Sequence, residues 1–131
     1  MIRPLVVLAC LALPATAQDV DCAVAMAQVD LNACAHADWE AADAALNAAY
    51  QDAMALLEEW DAALPSDEQG GAKALRQAQR AWITFRDKAC AAEGHAMRGG
   101  SAEPLLVYGC MRLLTLERTG HLTRMVEAYA G

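Results

Sequence analysis

Residues 31–64 read LNACAHADWEAADAALNAAYQDAMALLEEWDAAL, and this stretch decides the fold. Apolar or small side chains fall at 31, 35, 39, 42, 46, 50, 53, 57, 60 and 64, in steps of three and four. Such steps return to one face of a helix, and the alanines between them favour the helical state. The spacing predicts a helix over about residues 28–62. Pro65 stops it, because proline cannot continue the hydrogen-bond ladder and restricts the residue before it.

Working outward from Pro65, Ser66 and Gln69 have the spacing of a capping box. Gly70 and Gly71 then place the firm start of a second helix near Ala72. Leu75, Ala78, Trp82, Phe85 and Ala89 continue the three-and-four rhythm until Gly94. Three glycines, a serine and a proline between Gly94 and Pro104 mark a loop. A third helix is expected over about Pro104–Tyr129, with Leu106, Cys110, Leu113, Leu114, Leu122 and Met125 facing inward. No run alternates with period two for long enough to make a strand, and no internal repeat or second domain is visible. The expected fold is all-α: a small three-helix antiparallel bundle.

The chain has 131 residues, 56 % of them hydrophobic, which suits one domain with a core and excludes a disordered chain. Its net charge of -7 disfavours nucleic acid and anionic membrane surfaces as partners. The first residues have a different logic. Arg3 precedes an apolar run from Leu5 to Leu13, and Ala15-Thr16-Ala17 supplies small residues before Gln18. That is the layout of a cleavable signal peptide over residues 1–17, leaving a domain over 18–131 and a periplasmic or secreted protein. The run falls well below the roughly 20 apolar residues of a membrane span. Val7-Leu8-Ala9-Cys10 loosely resembles a lipoprotein signal, but cleavage before Cys10 would leave too short an apolar core for export.

Removing residues 1–17 leaves 114 residues and four of the five cysteines: Cys22, Cys34, Cys90 and Cys110. An even count in a small exported chain reads as two disulfides. No C-x-x-C pair occurs and the three histidines are scattered, which argues against a metal site, and no cofactor is expected. With the first two helices antiparallel across Pro65, helical rise puts all four cysteines at the end of the bundle opposite that turn. Cys90–Cys110 would close the glycine loop while Cys22–Cys34 pins the N-terminal segment, and this pairing is favoured. Cys34–Cys90 with Cys22–Cys110 fits the levels nearly as well.

Charge is divided along the chain. Residues 18–68 hold twelve acidic residues and no lysine or arginine, whereas residues 69–131 hold nine basic and five acidic ones. A segment of −12 is thus joined to one of +4. Either the first helix is neutralised by its neighbours, or its outer face meets a cationic partner through candidates Asp38, Asp43, Asp52, Glu58, Glu59 and Asp61. The second arrangement would raise association rate and specificity and weaken with salt.

Nothing in the sequence has the spacing of a known catalytic device. Ser101 has no nearby base, and His95 beside Glu93 is a loop histidine next to a carboxylate. His36 and Glu40 share a helical face, but two ligands fall short of a metal site. Met97, Met111 and Met125 read as core filling rather than copper ligands. Gly99-Gly100 follows no strand and has no phosphate-loop lysine, so nucleotide binding has no support.

Two stretches carry a resemblance. The first is Asp21-Cys22, Gln28, Leu31-Asn32, Cys34-Ala35, Ala42-Asp43, Leu46-Asn47 and Tyr50. The second is Gln79-Arg80-Ala81-Trp82, Arg86-Asp87, Cys90, Gly99-Gly100-Ser101 and Cys110. Over about residues 21–125 the ordered set resembles the lysozyme inhibitor LprI-like N-terminal domain family, also known as a domain of unknown function. The resemblance implies a disulfide-bonded helical protein of the bacterial envelope, not an enzyme. It leaves open whether the chain occludes a cationic protein such as lysozyme or is a non-inhibitory structural or accessory protein-binding module. Tyr50, Gln79, Trp82, Arg86 and Asp87 read as structural positions. Tyr50 and Trp82 are expected in the core, and Arg86 is expected to pair across to Asp43. Arg86 and Asp87, being adjacent on a helix, are not expected to face each other.

Overall fold

Pro65, Gly70 and the glycine-rich stretch after residue 94 interrupt the chain between helices. In the computed structural model, which describes residues 20–129, three α-helices lie between these breaks. They are α1 (Gln28–Ala63), α2 (Gly71–Gly94) and α3 (Glu103–Tyr129), with a single 3-10 turn at His95–Met97. No strand occurs among the described residues, and none of their helices is long and apolar enough to cross a membrane. The signal-peptide expectation for residues 1–17, Cys10 included, lies outside the described residues.

The turn between α1 and α2 is built differently from the expected capping box. Ser66 makes no cap, and Gln69 Nε2 donates instead to the Leu64 carbonyl at 3.0 Å. Asp61, in the last turn of α1, takes the role. Its carboxylate accepts the backbone N–H groups of Gly70, Gly71 and Ala72 at 3.0, 2.9 and 3.1 Å. These are donors that the first turn of α2 cannot satisfy internally, and the positive end of that helix favours an anion there. Gly70 has φ +154°, a conformation that side chains other than glycine rarely adopt. The three backbone hydrogen bonds hold the Asp61 carboxyl below its ordinary pKa, against a smaller opposing effect of burial.

The core joins Leu46, Ala49, Ala53 and Met54 of α1 to Ala72 and Leu75 of α2 and Leu122 of α3. Tyr50, Leu57, Trp82, Met125 and Val126 pack against this cluster, so Tyr50 and Trp82 sit where the sequence puts them. The phase of α2 differs from expectation. Its buried positions are Ala72, Leu75, Gln79, Arg86, Cys90 and Gly94, while Ala78 and Phe85 face outward, Phe85 at 59 % exposure. Apolarity favoured Phe85 over Arg86, but the Cys90 disulfide and the Arg86 ion pair fix the rotation of the helix. In α3, Leu113 is exposed and Thr115 is buried in place of it. Met97 is exposed, not core filling, whereas Met125 does pack on the core.

Cys22 bonds to Cys34 and Cys90 to Cys110, with Cα separations of 5.7 and 5.4 Å. Both bonds lie at the end opposite the Pro65 turn. Cys90 and Cys110 are buried, and a Cβ on Gly94 beyond them would run into Val107 Cγ2, so only glycine allows α2 and α3 to meet this closely. Asn32 Nδ2 donates to the Ser101 carbonyl at 2.9 Å, fastening the start of α1 to the glycine loop. Within that loop Gly99 has φ +75° and gives its N–H to the Glu103 carboxylate at 2.8 Å. That bond, helped by Arg98, holds Glu103 below its ordinary pKa.

Candidate functional site

The acidic face of α1 is the site to which the sequence points, and its geometry begins with a buried cation. Arg86 on α2 is only 6 % exposed. Its Nη1 donates to Asp43 Oδ1 on α1 at 2.9 Å and lies 3.5 Å from the Thr115 hydroxyl on α3. The guanidinium sits 5.5 Å from the Trp39 ring centroid and 5.2 Å from that of Trp82, within cation–π range of both. One side chain therefore ties all three helices together. Its Nε also donates to Asp87 Oδ1 at 2.9 Å, which corrects the expectation that adjacent residues do not meet. The long arginine side chain leans sideways along its own helix, so the fork reaches both carboxylates. Gln79, also buried, accepts from Arg118 Nε at 3.0 Å. Burial pushes the Arg118 pKa down from its ordinary value.

The six candidate carboxylates of α1 divide into two groups. Asp43 holds Arg86, Asp61 caps α2, and Glu58 lies 3.9 Å from Arg76 with both side chains largely exposed. Asp38, Asp52 and Glu59 are exposed and make no ion pair or side-chain hydrogen bond among the described residues. Fourteen residues separate the first two and seven the last two, so the three lie along one stripe of the helix, drifting only about 20° per heptad. Exposed Ala41, Ala45, Ala48, Ala55 and Ala62 leave that stripe free of bulky neighbours. The acidic half of the chain is thus partly engaged within the bundle and partly turned outward.

Two features at the cysteine end escaped the sequence reading. The segment tied down by Cys22–Cys34 exposes Val24, Met26 and Val29, at 70, 88 and 72 %. Val24 and Met26 in the non-helical stretch after Cys22, with Val29 in the first turn of α1, were the available signal. Nearby, Trp39 stacks on Tyr108 with centroids 5.7 Å apart, and His36 meets the Tyr108 ring edge-on at 4.7 Å. His36 also lies 3.4 Å from Glu40, as their shared face implies. His95 is exposed in the 3-10 turn, and His121 is bonded to Arg118 at 2.9 Å. The histidines therefore do not converge with Ser101 or with one another.

Comparison with known proteins fits this architecture. A family model described as lysozyme inhibitor LprI matches residues 21–122. The chain belongs to the LprI family. The chain is similar to an uncharacterized protein of Rhizobium meliloti (strain 1021), 44 % identical over 126 residues and matched across 92 % of this chain and 91 % of that one. Among solved structures, a DUF1311-family protein from Pseudomonas putida KT2440 aligns with a TM-score of 0.62 at 25 % identity, over 72 % of this chain and 89 % of that one. In this LprI-family chain Tyr50, Gln79, Trp82 and Arg86 all make contacts within the bundle. Its two disulfides fit an oxidising, extracytoplasmic compartment.

Proposed function

We propose that this LprI-family protein is exported by a cleavable signal peptide and binds a cationic, lysozyme-type enzyme in the envelope, acting by occlusion rather than by catalysis. The observation that carries this reading is the outward stripe of Asp38, Asp52 and Glu59, on a helix that contains no lysine or arginine. Unpaired carboxylates on a rigid helix steer a basic partner and fix its orientation. A lysozyme works through carboxylates in a cleft, and a helical bundle placed across that cleft would exclude substrate. The family name supports the same partner class. A titration of the protein against a cationic lysozyme tests it, reading binding and residual activity from about 10 to 200 mM salt. Binding and inhibition that weaken with salt, and fall further in Asp38→Asn/Asp52→Asn/Glu59→Gln, are expected. Unchanged lysozyme activity at molar excess and low salt would refute the reading.

The exposed Val24, Met26 and Val29 favour a second reading, a non-inhibitory accessory module that recognises another envelope protein through apolar contact. A salt-insensitive complex that leaves lysozyme untouched would distinguish it.

A further inference from the structure

Helix α3 is apolar on two sides. Its inward side carries Cys110, Thr115 and Leu122, all buried, and accounts for its packing on α1 and α2. Directly opposite, Leu106, Gly109, Leu113, Leu116 and Gly120 follow one another in steps of three, four, three and four. That is the repeat of an a/d seam, the pattern by which one helix receives another. Leu113 and Leu116 are 58 and 42 % exposed, and a Cβ built on Gly109 would meet nothing within 4 Å. Leu106, Gly109 and Gly120 are half-buried, and at the far end of the seam the Arg124 guanidinium lies 3.1 Å from where a Cβ on Gly120 would stand.

The charges beside the seam say what fits it. With Leu113 at an a position, Arg112 is at g and Glu117 is at e, five residues further on. In a parallel two-stranded pair a g residue faces the e residue five positions along in the other strand. An antiparallel pair places g beside g and e beside e: Glu117 can then meet Arg124, also at e, but Arg112 meets only Leu105, Thr119 or its own copy, so only the parallel pair partners both charges. Arg112 and Glu117 are both exposed and join no ion pair among the described residues. We infer that two copies of this chain associate in parallel through the outer face of α3, with Arg112 of each copy paired to Glu117 of the other. The two-fold axis then runs along the α3 seam, and two identical ion pairs bracket Leu113 and Leu116. The stripe of Asp38, Asp52 and Glu59 belongs to a different helix, so self-association and capture of a cationic partner are separable.

Sedimentation equilibrium of the protein, with both disulfides intact, from about 5 to 500 µM reads the association directly, a range suited to a dimer of modest affinity. A monomer–dimer equilibrium is expected, with Leu113→Asp raising the dissociation constant about 100-fold by placing two charges in the seam. Arg112→Glu should raise it about 10-fold, and Arg112→Glu/Glu117→Arg should bring it back to within about 3-fold of the parent. Helical circular dichroism and Tm report whether each variant is folded, and the three exposed positions leave the bundle core untouched. A protein that stays monomeric throughout, or a dimer indifferent to Leu113→Asp, would overturn the inference. Failure of the double charge swap to restore association would overturn the parallel pairing.

Discussion

Arg86 is the position where a single substitution tests the architecture most sharply. Arg86→Ala removes two hydrogen-bonded ion pairs of 2.9 Å, the contact with Thr115 and two guanidinium–indole contacts. Breaking a buried pair costs about 3–5 kcal/mol when the abandoned charge stays buried. Here Asp43 and Asp87 are 36 and 51 % exposed, so both carboxylates can rehydrate, and the electrostatic share must be discounted. Loss of the buried side chain and of the cation–π contacts restores part of the cost, and about 3 kcal/mol is the expected total. For a domain of this size that is a fall in Tm on the order of 15 °C. Urea unfolding of the oxidised protein, followed by circular dichroism, measures it. A double-mutant cycle with Asp43→Ala isolates the pair, and a coupling of about 1–2 kcal/mol is expected. Arg86→Lys should recover less than half of the loss, since an ammonium cannot serve two carboxylates and two rings at once. A cost under about 0.5 kcal/mol for Arg86→Ala, or a coupling near zero, would refute the assignment of Arg86 as the tie between the helices.

Two further predictions follow from the ends of the bundle. Cys90→Ala/Cys110→Ala opens a bond between buried residues spaced 20 apart and should cost about 3 kcal/mol in urea unfolding, by the chain-entropy account. Cys22→Ala/Cys34→Ala should cost less, because it frees an exposed segment, and mild reductant followed by alkylation and mass spectrometry should find Cys22–Cys34 opened first. At the opposite end, the folded pKa of Asp61 lies below its unfolded value. Its contribution is therefore present above the ordinary carboxylate range and is lost as pH falls through the folded pKa. Asp61→Ala should lower Tm at neutral pH and shrink its decline on acidification. An unchanged acid limb of the stability curve would show that the cap does not act through charge.

Much of this fold was legible because its punctuation is covalent. Pro65, Gly70 and the glycine loop after 94 break the helical ladder, so the helix bounds follow from residue chemistry to within a residue or two. The cysteine levels narrowed the pairings, but two remained, since helical rise gives height along a bundle and not azimuth. Azimuth is where the reading of α2 failed. Phe85 and Arg86 are adjacent, and a hydrophobicity pattern turns the phenylalanine inward; the structure buries the arginine because Asp43 and two indoles await it. The capping residue was missed for a related reason. Capping boxes are local in sequence, whereas Asp61 reaches α2 across the turn, a relation that exists only once α1 and α2 have folded back on each other.

The charge split shows how one composition serves two ends. If the acidic half merely balanced the basic half, each α1 carboxylate would face a cation across a helix boundary. Instead the two carboxylates with the best geometry meet Arg86, at the middle of the bundle, and the bare N-terminus of α2, which carries no formal charge. Glu58 adds only a loose, largely exposed contact of 3.9 Å to Arg76 across the same boundary. Asp38, Asp52 and Glu59 answer to none of these, and helix propensity gives no reason for them, since alanine would make the better helix at each position. Leaving three carboxylates on one outward stripe keeps the face repulsive to anionic surfaces and to copies of itself. It is therefore suited to a basic partner, and self-association belongs on another helix. The outer face of α3, with one cation and one anion flanking its leucines, meets that condition.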